Sequence, residues 1–521
     1  MRQGSWPLPA IGVFVLGAAI VWAVCGLYYC TVPASPDQFI FEYLGFLATK
    51  GMTFYSGGFD ISWPGPLLYH ELGIRLFGVH GWTARLQDFC LLPIGMAGLW
   101  LIARRAGFAA AGWGLILLYP IVYVTSGGWM AGHRDIVAMH MLLLATGLIV
   151  GQAPHRGWAR IAVGAIVGFV TFVRPTYLFV ALPFWLIELA RERRAAGRLG
   201  ATGQFALGLG LVILAFAIAG IAKGSIADWY EQAVVFPATA YQVPEGRGRL
   251  IGLLFATIRE QFFWPSLVAI SAAPLWVWRR IAPQRDGWAP VYILSLVVTV
   301  LVSYFVQNKG FGYQLGGLIP LFMLSAALGI EGGVRALASK DRASGARWLV
   351  YPALGLAVSL LGVGIAARIQ HSILPAMRTI ARSDGSSIGR SGTPERTEAA
   401  RIVAQESGVD DLVLQWGWNY EVPYLAQRKT ATRYVNNNLL AQIRPVDVRM
   451  MPWLDRFRRE MTRDRVAFIV VDTNVLPRRA FLDGIRIDPA MPGSTRIVLA
   501  LISRGYRPIY DRGDIVILKR I

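Results

Sequence analysis

The sequence predicts a polytopic α-helical membrane protein with about eleven transmembrane helices and a C-terminal α/β domain. Three observations carry that prediction. Of 521 residues, 55% are hydrophobic and 16% charged, and the mean hydropathy is +0.47, a balance that excludes an ordinary soluble multidomain protein. Apolar runs of roughly 20 residues, the length that crosses a bilayer core, recur through the first two thirds of the chain. From residue 367 onward the chain turns polar and arginine-rich over a stretch long enough to fold as its own domain.

The candidate spans begin near Pro9, Arg85, Phe108, Asp135, Trp158, Thr176, Gln204, Phe262, Trp288, Gln314 and Leu349. The first is longer than a signal-peptide core of roughly 7 to 15 residues and is read as an uncleaved span. The fifth and sixth are short, which predicts a tilt or break around Arg174-Pro175. A net charge of +20, from 51 Lys+Arg against 31 Asp+Glu, first suggests nucleic acid. Arginine clusters in alternate loops (104–105, 156–160, 191–198, 279–285 and 335–347) instead follow the positive-inside rule with an inside amino terminus, so no nucleic-acid partner is expected. An odd number of spans then puts a domain of residues 367–521 on the outer side of a membrane domain of residues 1–366. Cys25, Cys30 and Cys90 lie in or beside apolar segments and imply neither a disulfide framework nor a metal–cysteine site.

Two outer loops are long. Residues 31–84 open with SPDQFIFEYLGFLATKG, where Ser35 reads as an N-cap, Pro36 as N1, Gln38 as the partner in a capping box and Gly51 as the stop. The helix so defined runs about four turns. Phe39, Ile40, Tyr43, Leu44 and Leu47 share one face, which predicts a helix lying along the membrane surface. A second surface helix is predicted in SWPGPLLYHELGIRLFG, residues 62–78. The other long loop, residues 223–261, contains the run PEGRGR and is of a length that is either functional or disordered. In the C-terminal region strands are predicted at 411–417, 466–472 and 514–520, helices near 395–405 and 454–462, and a Ser/Gly-rich linker at 383–393. No internal repeat is found.

Charged groups near spans are costly in lipid and face a cavity or a partner. Outside the inner clusters they fall on the predicted outer side: Asp37, Arg85, His133, Arg134, Asp135, Arg174, Lys223 and Lys309. Acids and bases at one interface suit a lipid-linked phosphate substrate, with cations stabilising the departing phosphate and a carboxylate taking the proton of an attacking hydroxyl. Each residue also has a plainer reading. Asp37 in a first helical turn is favoured by the macrodipole, Asp135 is placed to cap a span, and Arg174, Arg85 and Lys309 are placed as interface anchors. Gly310 and Gly312 beside Lys309 permit close approach of backbone to a ligand. His133 belongs to no metal-spaced motif, so no metal site is predicted.

The order of these features resembles the polyprenyl-phosphate-sugar-dependent glycosyltransferases of the GT-C superfamily, the group holding protein O-mannosyltransferases and the aminoarabinose transferases that modify lipid A. Pro36-Asp37-Gln38 matches the Asp of the acidic motif after the first span. WPGPLLY, residues 63–69, resembles the element before the second surface helix, and FGVHGWTARL, residues 77–86, the FG-x-x-x-x-x-ARL signature. HRDIVAMHMLLLA supplies a second acid, Asp135, at the fourth span, and LQWGWNYEVPYLAQRKTATRYV, residues 414–435, is similar to the outer-domain segment of bacterial members. Gln38 stands where the motif has Glu, and Trp63 where relatives often have a phosphate-contacting Lys.

The resemblance implies an inverting glycosyltransferase in a bacterial inner membrane with a periplasmic C-terminal domain. Its donor would be a polyprenyl-phosphate monosaccharide, and its acceptor a hydroxyl of an envelope glycan such as lipopolysaccharide, a glycolipid or a protein. Asp37 is implied as catalytic base, and Asp135 as a second catalytic carboxylate supporting acceptor or base. Donor phosphate falls to Arg174, Lys309 or Arg85, with His133, Tyr313 and Gln314 as further substrate contacts. No resident cofactor is implied, and metal dependence stays open. Two rival readings remain. A transporter or flippase of lipid-linked sugars would show internal repeats and midplane charges; a noncatalytic assembly partner of the same fold is separable only by activity.

Overall fold

The computed structural model describes residues 8–151, 157–194, 200–222, 225–239, 247–261, 265–270, 288–338, 347–383, 394–437, 440, 451–463, 466–482, 485, 487–488 and 491–521. Lys223, most of the span predicted from Phe262, the start of PEGRGR and nearly all of the predicted linker at 383–393 lie outside them. In chain order the first helices are α1 (Leu8–Tyr29), α2 (Pro36–Thr49), α3 (Pro64–Phe77), α4 (Thr83–Arg105), α5 (Ala109–Val124), α6 (Arg134–Ile149), α7 (Gly157–Val173), α8 (Ala181–Arg194) and α9 (Gly200–Ala222). Helices Arg247–Gln261, Ala289–Gln307, Leu318–Ala338 and Arg347–Arg368 follow. Among the described residues six helical stretches are long and apolar enough to cross a membrane: Gly12–Tyr29, Thr83–Arg105, Thr202–Ala222, Ala289–Gln307, Gly312–Ala338 and Val350–Arg382. The predicted spans near Phe108, Asp135 and Trp158 are the shorter α5, α6 and α7.

The chain divides into two compact units. One comprises Met1–Val32, Asp88–Ala215 and Pro244–Ile388; the other comprises Pro33–Gln87, Phe216–Val243 and Gly389–Ile521.

The first unit is a helical assembly around Leu92, Leu99, Tyr119, Tyr123, Leu142, Val163, Tyr177, Tyr292, Tyr304 and Leu321. In lipid, helices associate by close backbone approach at small residues. Here a Cβ on Gly164 of α7 would fall 2.0 Å from the Phe205 carbonyl oxygen, and one on Gly208 of α9 would fall 2.0 Å from that of Ile161. The break predicted after α7 is present. Pro175 has no N–H to extend the helix and pushes its predecessor out of helical geometry, so Arg174 is extended (φ −144°, ψ 96°) before a 3-10 turn at Pro175–Val180. Two arginines read from sequence as inner-loop charges are buried: Glu188 receives Arg160 Nε at 2.6 Å and Arg191 Nη1 at 2.9 Å, and the Tyr292 hydroxyl as well.

The second unit holds a five-stranded sheet of order β2-β1-β3-β5-β4, with β1 (Leu412–Trp416), β2 (Lys429–Thr430), β3 (Val466–Asp472), β4 (Tyr506–Arg512) and β5 (Ile515–Arg520). β1 pairs parallel with β2 and β3, and β5 antiparallel with β3 and β4. α2 begins as its sequence dictates: Gln38 N–H donates to the Ser35 hydroxyl, and the Gln38 side chain accepts from Ser35 N–H at 2.8 Å. Its surroundings differ from the expected membrane surface. Every residue from Gln38 to Leu47 is buried, because Phe39 and Phe46 pack on Tyr424 and the Tyr43 hydroxyl donates to the Arg428 carbonyl at 3.0 Å. The amphipathic face meets protein. Part of the predicted 223–261 loop is likewise helical, at Ile226–Tyr230 and Phe236–Thr239. Trp229 and Phe236 pack on Trp63 and Phe59 there, and Gln232 Nε2 donates to the Tyr55 carbonyl at 2.7 Å.

The α7–α9 contact leaves no room for a side chain at either glycine, whereas Gly210 has nothing within 4 Å of a built Cβ. Gly164→Leu and Gly208→Leu are expected to lower the melting temperature and the monodisperse yield of detergent-purified protein, by about 1–3 kcal/mol of overpacking. Gly210→Ala is expected to leave both unchanged.

Candidate active site

The first unit gathers most of the predicted site residues around one buried charge pair. His133 caps α6 in extended geometry (φ −75°, ψ 145°), which puts Asp135 in the first turn of that helix. Asp135 is fully buried. Its Oδ1 lies 2.8 Å from Arg174 Nε and its Oδ2 3.1 Å from His133 Nδ1, so both oxygens are engaged. Arg174, 5% exposed, also donates through Nη2 to Gln307 Oε1. The same oxygen accepts from Gln314 Nε2 at 2.7 Å, while Gln307 Nε2 donates to Ser303 Oγ at 2.8 Å. Ser303 in turn meets Thr176 Oγ1 at 2.6 Å. The ion pair and the bond to the Gln307 amide together hold the guanidinium in place.

Tyr313 covers this cluster, its ring centroid 3.8 Å from that of His133, with Trp129 and Phe311 stacked beside it. Apart from Asp135 Oδ1 and Arg174 Nε, which face each other as an ion pair, Gln314 Oε1 and the Tyr177 hydroxyl are buried here with no hydrogen-bond partner among the described residues. One accepts and one can donate, a pairing that fits a hydroxylated ligand or water. Lys309 follows the helix Ala289–Gln307, half-buried, between left-handed Asn308 (φ 51°) and Gly310 (φ 68°). Five of the predicted residues, His133, Asp135, Arg174, Tyr313 and Gln314, thus form one contiguous group. Asp37 and Arg85 belong to the second unit.

In that unit Asp37 occupies the first turn of α2 and is partly exposed. Arg85 is buried and donates through Nη2 to the Pro33 carbonyl, which ties it to the turn that leads into α2. The sequence reading missed Glu42. It is 1% exposed, meets His70 Nδ1 at 2.9 Å and accepts from the Tyr424 hydroxyl at 2.7 Å, linking α2 to α3 and to the short helix Glu421–Leu425. Burial and the neighbouring Glu42 hold the Tyr424 phenol well above its usual range, so it stays a donor through neutral pH. Gln307, Ser303, Thr176 and Tyr177 were missed too. Among the described residues no three His, Cys, Asp or Glu side chains gather at metal-binding distance.

ArnT from Cupriavidus metallidurans bound to undecaprenyl phosphate matches 98% of this chain and 98% of its own, with a TM-score of 0.60 at 12% identity. The fold is that of ArnT. The apo state of ArnT matches over the same shares at 0.58 and 14%, and because the match runs nearly end to end, the ArnT fold takes in both units. An Archaeoglobus fulgidus oligosaccharyltransferase, at a TM-score of 0.45 and 10% identity over 96% of this chain and 73% of its own, is too remote to add to the argument. No family model and no curated protein matches the sequence.

Removing one partner of a buried ion pair leaves the other charge uncompensated, at a cost of about 3–5 kcal/mol. Asp135→Asn is therefore expected to lower the thermal midpoint of purified protein sharply, and the double variant Asp135→Asn/Arg174→Gln to recover part of the loss. Tyr424→Phe, which takes one partner from buried Glu42, is expected to cost about 1–3 kcal/mol in the same assay.

Proposed function

We propose that the chain is an integral-membrane glycosyltransferase of the GT-C type. It moves a monosaccharide from a polyprenyl phosphate to a hydroxyl of an envelope glycan, glycolipid or protein at the periplasmic face of a bacterial inner membrane. The observation that carries this reading is the buried, ion-paired Arg174 guanidinium in a chain with the fold of ArnT, whose structure holds undecaprenyl phosphate.

The acceptor oxygen attacks the anomeric carbon as the bond from that carbon to the phosphate oxygen breaks. The bonding pair leaves with the phosphate, the configuration inverts, and the acceptor proton passes to Asp37. Charge grows on the leaving phosphate, and a prepositioned guanidinium stabilises that growth without reorganising. Arg174 supplies it, with Lys309 as a second cation. Asp135, engaged on both oxygens, orients Arg174 and His133 and takes no proton. Gln314 Oε1 and the Tyr177 hydroxyl contact donor hydroxyls, and Tyr313 walls the site. Arg85 holds the turn before α2 and so aims Asp37. The unit containing residues 389–521 presents the acceptor.

Sugar transfer by purified protein in lipid, with a panel of polyprenyl-phosphate monosaccharides and extracted envelope acceptors, tests this directly. Asp37→Asn is expected to lose roughly 10²- to 10⁴-fold in turnover, the usual worth of a general base, while keeping its fold and donor binding. Arg174→Gln is expected to bind donor at least tenfold more weakly, for a lost charged hydrogen bond of about 1.5–3 kcal/mol. Full turnover by Asp37→Asn would sink the assignment of the base. A wild type that transfers nothing but moves donor across the bilayer would replace the enzyme with a transporter.

A further inference from the structure

Asp88 is a buried carboxylate that the proposed chemistry does not use. It lies in α4, 2% exposed, and two tyrosine hydroxyls donate to its Oδ2: Tyr29 at 2.7 Å and Tyr123 at 2.6 Å. A carboxylate in such surroundings is expensive, and hydrogen-bond donors that converge on it offset the cost only if they are fixed there. Tyr123 is itself fully buried, and its hydroxyl has a second role. With its proton committed to Asp88, the oxygen accepts the backbone N–H of Gly132 at 2.8 Å.

Gly132 is the last residue before the cap of α6, and its backbone is left-handed (φ 74°). The next residue is His133, which meets Asp135 and stacks on Tyr313. Loop 125–133 is held at its entrance as well, where Arg368 Nη1 donates to the Thr125 hydroxyl at 2.9 Å and to its carbonyl at 3.2 Å. Between these two ties Gly127 is left-handed (φ 91°) and its carbonyl accepts from the Met130 and Ala131 N–H groups at 3.1 Å each, so the loop is a compact turn whose placement the two ties share.

We infer that Asp88 is a positioning residue: by orienting the Tyr123 hydroxyl it holds Gly132 and thereby aims His133 and Asp135 at Arg174. The geometric part stands on these contacts alone. Its consequence for donor binding rests on the proposed function.

The test uses full-length protein in nanodiscs and two readouts, amide hydrogen exchange and affinity for undecaprenyl phosphate. Tyr123→Phe and Asp88→Leu are expected to speed exchange across residues 126–133 and to weaken undecaprenyl phosphate binding, each by about tenfold, as for loss of one buried hydrogen bond. Exchange elsewhere in the first unit is expected to stay at the wild-type rate. Asp88→Asn keeps an acceptor oxygen near the same place and is expected to restore both readouts most of the way. Unchanged exchange at 126–133 in Tyr123→Phe overturns the inference. So does faster exchange spread through the unit, which would make Asp88 a packing residue only. If wild type itself fails to bind undecaprenyl phosphate, the proposed function fails and the exchange pattern alone decides whether Asp88 positions the loop.

Discussion

A guanidinium and a carboxylate 2.8 Å apart, both buried in an apolar helical unit, set the terms for much else in this molecule. Neither charge is tolerable there alone. Asp135 can reach Arg174 because α7 stops at Val173 and Arg174 is extended, and that stop follows from Pro175. Gln307 reaches the same guanidinium from the end of another helix and recruits Gln314, Ser303 and Thr176. Three stretches of chain far apart in sequence are thereby tied to one charge, and their side chains have little freedom to do otherwise. A site built this way is preorganised before any ligand arrives, which is the property that electrostatic catalysis requires.

The same solution recurs in the first unit. Glu188 draws in Arg160, Arg191 and Tyr292; Asp88 draws in Tyr29 and Tyr123. Each of these two acids is matched by donors from two other helices. These networks work beside close glycine contacts of the kind seen between α7 and α9, since lipid gives helices little hydrophobic reason to associate. Polar networks also choose register. An α4 slipped by one residue would turn Asp88 away from both tyrosines, a cost that apolar packing alone would not impose.

What the sequence made legible were features encoded within a few residues of each other. The capping box at Ser35 and Gln38, the break at Arg174-Pro175 and the strands β1, β3 and β5 are all local patterns, and all are present. β4 escaped notice because it is an edge strand, largely exposed, with Pro508 at a bulge, so it lacks the alternation that marks a half-buried strand. Glu42 and Gln307 escaped for a different reason. Their partners are 28 and 382 residues away for Glu42 and 133 for the Gln307–Arg174 bond, and no local spacing announces such a contact. Arg160 and Arg191 show the reverse error, since arginines near predicted loops read as solvated until Glu188 is seen between them. The apolar face of α2 was legible as a face, but amphipathicity does not say whether lipid or protein will cover it.

The two carboxylates singled out from the sequence, Asp37 and Asp135, sit in unlike surroundings. A general base must release one hydrogen bond and accept a proton without dismantling its surroundings. Asp135 is ill-suited to that, for protonation would strip Arg174 of its counter-charge inside an apolar unit and unpin His133 at the same time. Asp37 belongs to the second unit. It sits at the partly exposed start of α2, where the helix N-terminus favours its charged form, and α2 is locked behind it by the capping box and by Glu42 with His70 and Tyr424. The start of α2 is thus a fixed, partly exposed place for a carboxylate, whereas Asp135 is held between Arg174 and His133 and is fully buried.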